Sequence, residues 1–92
     1  MFLFAVGVMR AADSYSQNVL LDIEVQNQTI EKVLGEIEKQ SEFTFFYNDK
    51  QINVNRLVSV TVTKETIFKV LDKIFKDTGI SYSILDKSII LS

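Results

Sequence analysis

Residues 28–47 read QTIEKVLGEIEKQSEFTFFY, and 37 positions later residues 65–84 read ETIFKVLDKIFKDTGISYSI. Aligned without a gap, they share Thr29 with Thr66, Ile30 with Ile67, Lys32 with Lys69, Val33 with Val70, Leu34 with Leu71, Ile37 with Ile74 and Lys39 with Lys76. In each copy the four apolar members fall at i, i+3, i+4 and i+7, one face of a helix. Ahead of each helix stands a run with a period of two. Leu21, Ile23 and Val25 alternate with Asp22, Glu24 and Gln26, and Val58, Val60 and Val62 alternate with Ser59, Thr61 and Thr63. That alternation is the mark of a half-buried strand. A second strand closes each unit, through Phe43, Phe45 and Tyr47 in the first and Ile80, Tyr82 and Ile84 in the second. The chain thus reads as two βαβ units.

The ends of these elements carry weaker signals. Asn27 and Thr63 stand where N-caps are expected, each with a side-chain oxygen for a first-turn N–H. Gly79 is expected to take the left-handed position after the second helix. Residues 48–56, NDKQINVNR, are rich in turn formers and read as a surface connection. Asp86-Lys87 separates SYSIL from SIILS, the spacing of a hairpin that adds a last strand at 88–91.

The copies also differ. Phe68 and Phe75 widen the apolar arc of the second helix to about 160°, whereas Glu31 and Glu38 hold those places in the first and leave it an arc of about 100°. The second helix is therefore expected to be covered on more than one side, and the first to keep a wet flank. The pairs Glu65–Lys69 and Asp72–Lys76 are spaced for exposed i,i+4 ion pairs worth ~0.2–0.5 kcal/mol each.

Ninety-two residues suffice for one small domain, and 47% hydrophobic residues with 11% aromatic are those of a globular chain. The net charge of −2 gives no electrostatic footprint for nucleic acid. Cysteine and histidine are both absent, which removes the ligands of most zinc, haem and iron–sulfur sites and the commonest general base. No cofactor or metal site is expected, and no catalytic constellation. Without histidine no base stands ready to activate a serine, and the carboxylates Glu31, Glu36 and Glu38 share the polar side of a helix with Lys32 and Lys39. Asn48, Asp49, Asn53 and Asn55 offer oxygens but one carboxylate among them, fewer than a calcium loop uses.

The opening differs from the rest. An apolar run from Phe2 to Met9, followed by small residues, suits the end of a secretory signal, although no basic residue precedes it and Arg10 sits where a cleavage region is normally uncharged. Residues 1–14 are read as a signal remnant and 15–92 as the domain; a buried first strand is the other reading. Eight apolar residues are too few to cross a bilayer, which takes about 20.

The order of elements invites comparison with ferredoxin-like domains, which include RNA-recognition and small-ligand-sensing modules. The strand LVSVTVT has no aromatic to stack a base, which argues against RNA. Residues 15–92 more closely resemble the secretin and TonB N-terminus short domain, in the version at the front of TonB-dependent outer-membrane receptors of the starch-utilisation type. Val-Leu-x-x-Ile in each helix, Phe-x-Phe-x-Tyr after the first and Thr-Gly-Ile-Ser-Tyr after the second carry the likeness. It implies an α+β fold of two pseudo-symmetric βαβ units, with two helices packed between small sheets and a C-terminal hairpin strand. It also implies an exported, periplasmic signalling module that passes substrate occupancy to the periplasmic part of an inner-membrane anti-sigma regulator, which then releases an extracytoplasmic-function sigma factor. The barrel of such a receptor is expected in the full-length protein, outside these residues. A monomer is expected, with Glu31 and Glu38 or an exposed sheet edge facing the partner, and no small molecule or nucleic acid bound. The alternatives are a secretin-like assembly module and a ligand-sensing ferredoxin-like domain.

Overall fold

A computed structural model describes residues 14–92. The leader expected over 1–14 lies outside the described residues apart from Ser14. The elements run α1 (Ser14–Asn18), β1 (Leu21–Thr29), α2 (Ile30–Gln40), β2 (Thr44–Phe46), β3 (Leu57–Glu65), α3 (Ile67–Phe75), β4 (Tyr82–Leu85) and β5 (Ser88–Leu91). Both expected βαβ units are present, as is the hairpin strand. The short α1, SYSQN, carries no apolar periodicity that would mark it in the sequence.

β1 and β3, the opening strands of the two units, pair antiparallel as a two-stranded sheet. Their register reproduces the sequence repeat. Ile23 lies opposite Val62 and Val25 opposite Val60, and stepping 37 positions along the repeat turns one pair into the other. Glu24 lies opposite Thr61, its own repeat mate, so a pseudo-twofold axis passes through that pair.

The irregularities obey the same axis. A bulge on β1 sets residues 26–27 against Ser59, and one on β3 sets residues 63–64 against Asp22. Asn27 and Lys64, again repeat mates, both take left-handed dihedrals, with φ of 50° and 52°. A bulge turns one backbone N–H out of the ladder, and a side chain across the sheet satisfies it. Asn27 N–H donates to Ser59 Oγ at 2.9 Å, and Lys64 N–H to Asp22 Oδ1 at 2.9 Å. Asn27 is therefore a bulge residue and not an N-cap, and Thr63 is likewise part of a bulge. The caps are Thr29 and Thr66, two residues the copies share. The Thr29 hydroxyl accepts from Lys32 N–H at 3.2 Å, while Thr66 makes no side-chain cap bond.

The helices bury the faces that their spacing predicts. Ile30, Val33, Leu34 and Ile37 are buried in α2, and Ile67, Val70, Leu71, Ile74 and Phe75 in α3. Phe75 is 6% exposed but Phe68 38%, so the wider arc is covered at one end only. β2, β5 and β4 form the second sheet in that order, β2 parallel and β4 antiparallel to β5. One contiguous core joins both sheets and both helices, which places the helices between the sheets.

Three local expectations are corrected. α3 ends at Phe75 with Lys76 as its cap, so Asp77 (φ 61°) takes the left-handed position after the helix, and Gly79 (φ 79°) serves the turn that follows. Lys76 leaves the helix and Glu65 belongs to β3, so neither expected i,i+4 ion pair forms among the described residues; the bridges are Lys39–Glu36 and Lys87–Glu42. The segment 48–56 is more than a surface connection. Ile52 and Val54 are 5% and 7% exposed and enter the core. The carbonyls of Arg56 and Val54 accept the first N–H groups of α2, from Ile30 and Glu31, at 3.0 and 2.9 Å, groups a helix cannot pair internally.

Candidate partner-binding surface

Glu31 and Glu38 are both exposed on α2, as their helical positions require. Their roles differ. Thr44 N–H donates to the Lys87 carbonyl, towards β5. Phe45 N–H therefore faces the outer edge of the sheet by strand alternation. Glu38 Oε2 accepts it at 2.9 Å, so Glu38 closes the β2 edge. Glu31 instead borders a recess of about 230 Å³ with Tyr47, Asp49 and the 52–55 segment. Burial, with Glu31, Asp49 and Glu38 nearby, raises the Tyr47 phenol above its ordinary value. Two of the candidate cation oxygens are engaged locally: Asn48 Oδ1 accepts Lys50 N–H and Asn53 Oδ1 accepts Asn55 N–H. Among the described residues no cluster of three or more acidic side chains is gathered as a metal site.

A groove of about 420 Å³ runs between the β1 edge and α2. Lys32, Glu36 and Gln40 line its helical side at i,i+4 spacing, and Asp22 to Gln26 its strand side. Gln40 spans it. Its amide nitrogen donates to the Asp22 carbonyl at 2.6 Å while its amide oxygen accepts Asp22 N–H at 3.1 Å, the two bonds a neighbouring strand would make.

On the second sheet, Phe46 and Ile90 are register partners on the face away from the core, 51% and 39% exposed, with Leu85 on the same face at 72%. At one corner α1 is clasped to the body. The Tyr15 ring meets Phe43 edge-on at 4.9 Å, its hydroxyl accepts Glu42 N–H at 2.5 Å, and Lys87 Nζ lies 5.0 Å above the ring while pairing with Glu42 at 2.5 Å. That pairing raises the Lys87 pKa above its ordinary value.

Between β4 and α3 the Tyr82 hydroxyl donates to Asp72 Oδ1 at 2.9 Å. Burial first, and then the bonded carboxylate, push the phenol up to about 12. Folded Tyr82 holds its proton more tightly than unfolded tyrosine, whose ordinary value is 10. Its contribution to stability is thus complete below pH 10 and is lost as pH rises towards about 12. Denaturant midpoints measured from pH 9 to 12 should fall in that window, and Tyr82→Phe should flatten the fall.

A family model of the secretin and TonB N terminus short domain matches residues 43–92. The chain belongs to that family, whose members occur in TonB-dependent receptors and secretins, at the periplasm and outer membrane. The match begins at β2, and the sequence repeat and pseudo-twofold axis relate the preceding half to the matched one. No curated protein and no solved structure matches the chain. Among the described residues no helix is long and apolar enough to cross a membrane, which says nothing about a barrel made of strands.

Proposed function

We propose that the chain is a periplasmic protein-docking module of a TonB-dependent outer-membrane receptor of the starch-utilisation type, passing substrate occupancy to the periplasmic part of an anti-sigma regulator. Family membership carries this reading. The geometry supports it, because both small sheets end in edge strands that a partner's backbone can pair with. A body of this kind transmits a signal through different contacts with a partner in two states, not through chemistry of its own.

Calorimetric titration with the purified periplasmic fragment of such a regulator tests the proposal. Saturable one-to-one binding is expected, and no heat at several hundred micromolar contradicts it. Glu31→Lys divides the two candidate surfaces. Unchanged affinity removes the α2 flank and leaves the sheet edges, whereas a loss of tenfold or more assigns the flank. Glu38→Lys is a poorer probe, because it also opens the Phe45 N–H. A secretin-like assembly role is the second reading, favoured by the exposed Phe46, Leu85 and Ile90. It requires concentration-dependent association in sedimentation, which the docking reading does not.

A further inference from the structure

The pseudo-twofold axis makes the outer edges of β1 and β3 equivalent by geometry, yet the residues that close one are missing from the other. Asp22 turns its N–H and C=O away from β3 towards Gln40. Two residues on, Glu24 repeats that orientation, and its register partner Thr61 faces the opposite, outer edge of β3. Ser59 and Thr63 share the orientation of Thr61.

On β1 two side-chain amides close the edge. Gln40 takes both groups of Asp22, and Gln28 Nε2 donates to the Gln26 carbonyl at 3.3 Å. Their repeat mates are Asp77 and Glu65. A carboxylate has no N–H to give a carbonyl, so neither can reproduce the closure, and α3 ends before Asp77 is reached. The charge changes as well. Asp22, Glu24 and Glu36 along the closed edge correspond to Ser59, Thr61 and Lys73 along β3, while Lys32 is kept as Lys69. Of the remaining edges, β2 is closed at Phe45 by Glu38, and β4 spans four residues against nine for β3.

We infer that the outer edge of β3, at Ser59, Thr61 and Thr63, is a strand-addition site for an extended, acid-flanked segment of a partner protein. The inference rests on the docking function proposed above and names the surface and the chemistry of its occupant. Three residues with outward N–H and C=O groups supply the main-chain bonds, and Lys69 and Lys73 select the charge of the flanks.

The test uses the ¹⁵N-labelled chain and two end-blocked synthetic peptides, DVTVTVE and KVTVTVK. With the acidic peptide, amide exchange at Thr61 and Thr63 should slow at least tenfold at saturation, with Glu24 and Ile84 unchanged. The basic peptide should bind at least fivefold more weakly. Thr61→Pro should abolish binding, and Glu24→Pro, at the matching place on β1, should leave it intact. Should the proline variants fail to fold, Lys69→Glu with Lys73→Glu, both at exposed positions, should reverse the preference between the peptides. Protection at Glu24 or Ile84 instead of Thr61, equal binding of the two peptides, or protection of Thr61 that grows with protein concentration and no peptide would each overturn the inference. The last would make a second copy the occupant. A regulator fragment that binds while protecting Ile84 overturns the edge assignment alone. A fragment that does not bind, with the peptide still adding at Thr61, overturns the receptor reading alone.

Discussion

Phe75→Glu is expected to leave the protein largely unfolded at neutral pH. Phe75 is 6% exposed in α3, and the substitution writes into the second helix the residue that the first carries at the same place, Glu38. In α2 that place looks onto the β2 edge, where the carboxylate accepts Phe45 N–H. In α3 it looks into the core beside Leu71 and Ile74. The variant loses the aromatic burial, about 3–5 kcal/mol for a large core residue, and must also desolvate a charge. Against a typical total of about 5–15 kcal/mol for a domain, lower for a small one, that removes most of the stability. Burial would hold the new carboxyl's folded pKa above its unfolded value, so part of the loss should be regained as pH falls towards the ordinary glutamate range. Circular dichroism and urea midpoints at pH 7 and pH 5 check both statements. A variant as stable as the parent at pH 7 would mean that this face of α3 is wet.

Phe43→Ala should cost about 3–5 kcal/mol, lowering the melting temperature by at least about 12 °C for a domain of this size. Phe43 is 2% exposed and is among the largest fully buried side chains. It enters the core just before β2 and supports the Tyr15 ring, so its loss should also free α1. Phe46→Ala, three residues on and 51% exposed, should stay within about 0.5 kcal/mol. Thermal denaturation of the pair reads the facing of β2. A larger loss at Phe46 than at Phe43 would turn the strand over.

Much of this architecture is legible in the sequence because its signal is periodic. The faces of α2 and α3, the inward residues of β1 and β3 and the hairpin at Asp86-Lys87 all follow from spacing and survive in the fold. What escaped is non-local. Ile52 and Val54 lie among turn formers, and nothing near them says that the segment folds inward to meet the N-terminus of α2. Asn27 looks like a cap until Ser59 is seen opposite it across the sheet. Thr29 and Thr66, conserved between the copies, were the better cap signal, because the repeat itself marks them. The wet flank read for Glu31 and Glu38 is half of the account, since the second of them is committed to the β2 edge. The closure of β1 by Gln40 links residues 18 apart in sequence, and only the strand's direction reveals it.

The two repeat halves meet about an axis that passes between Glu24 and Thr61. Replacing both by cysteine in this cysteine-free chain tests that most directly, because a non-hydrogen-bonded antiparallel pair holds its Cα atoms about 4.5 Å apart, within disulfide reach. Mild oxidation should give a monomeric, fully folded, cross-linked protein, while the offset pair Gln26→Cys with Thr61→Cys should stay reduced. Failure of the first pair to close in the folded state, or equal closure of the second, would contradict the shared axis and the edges derived from it.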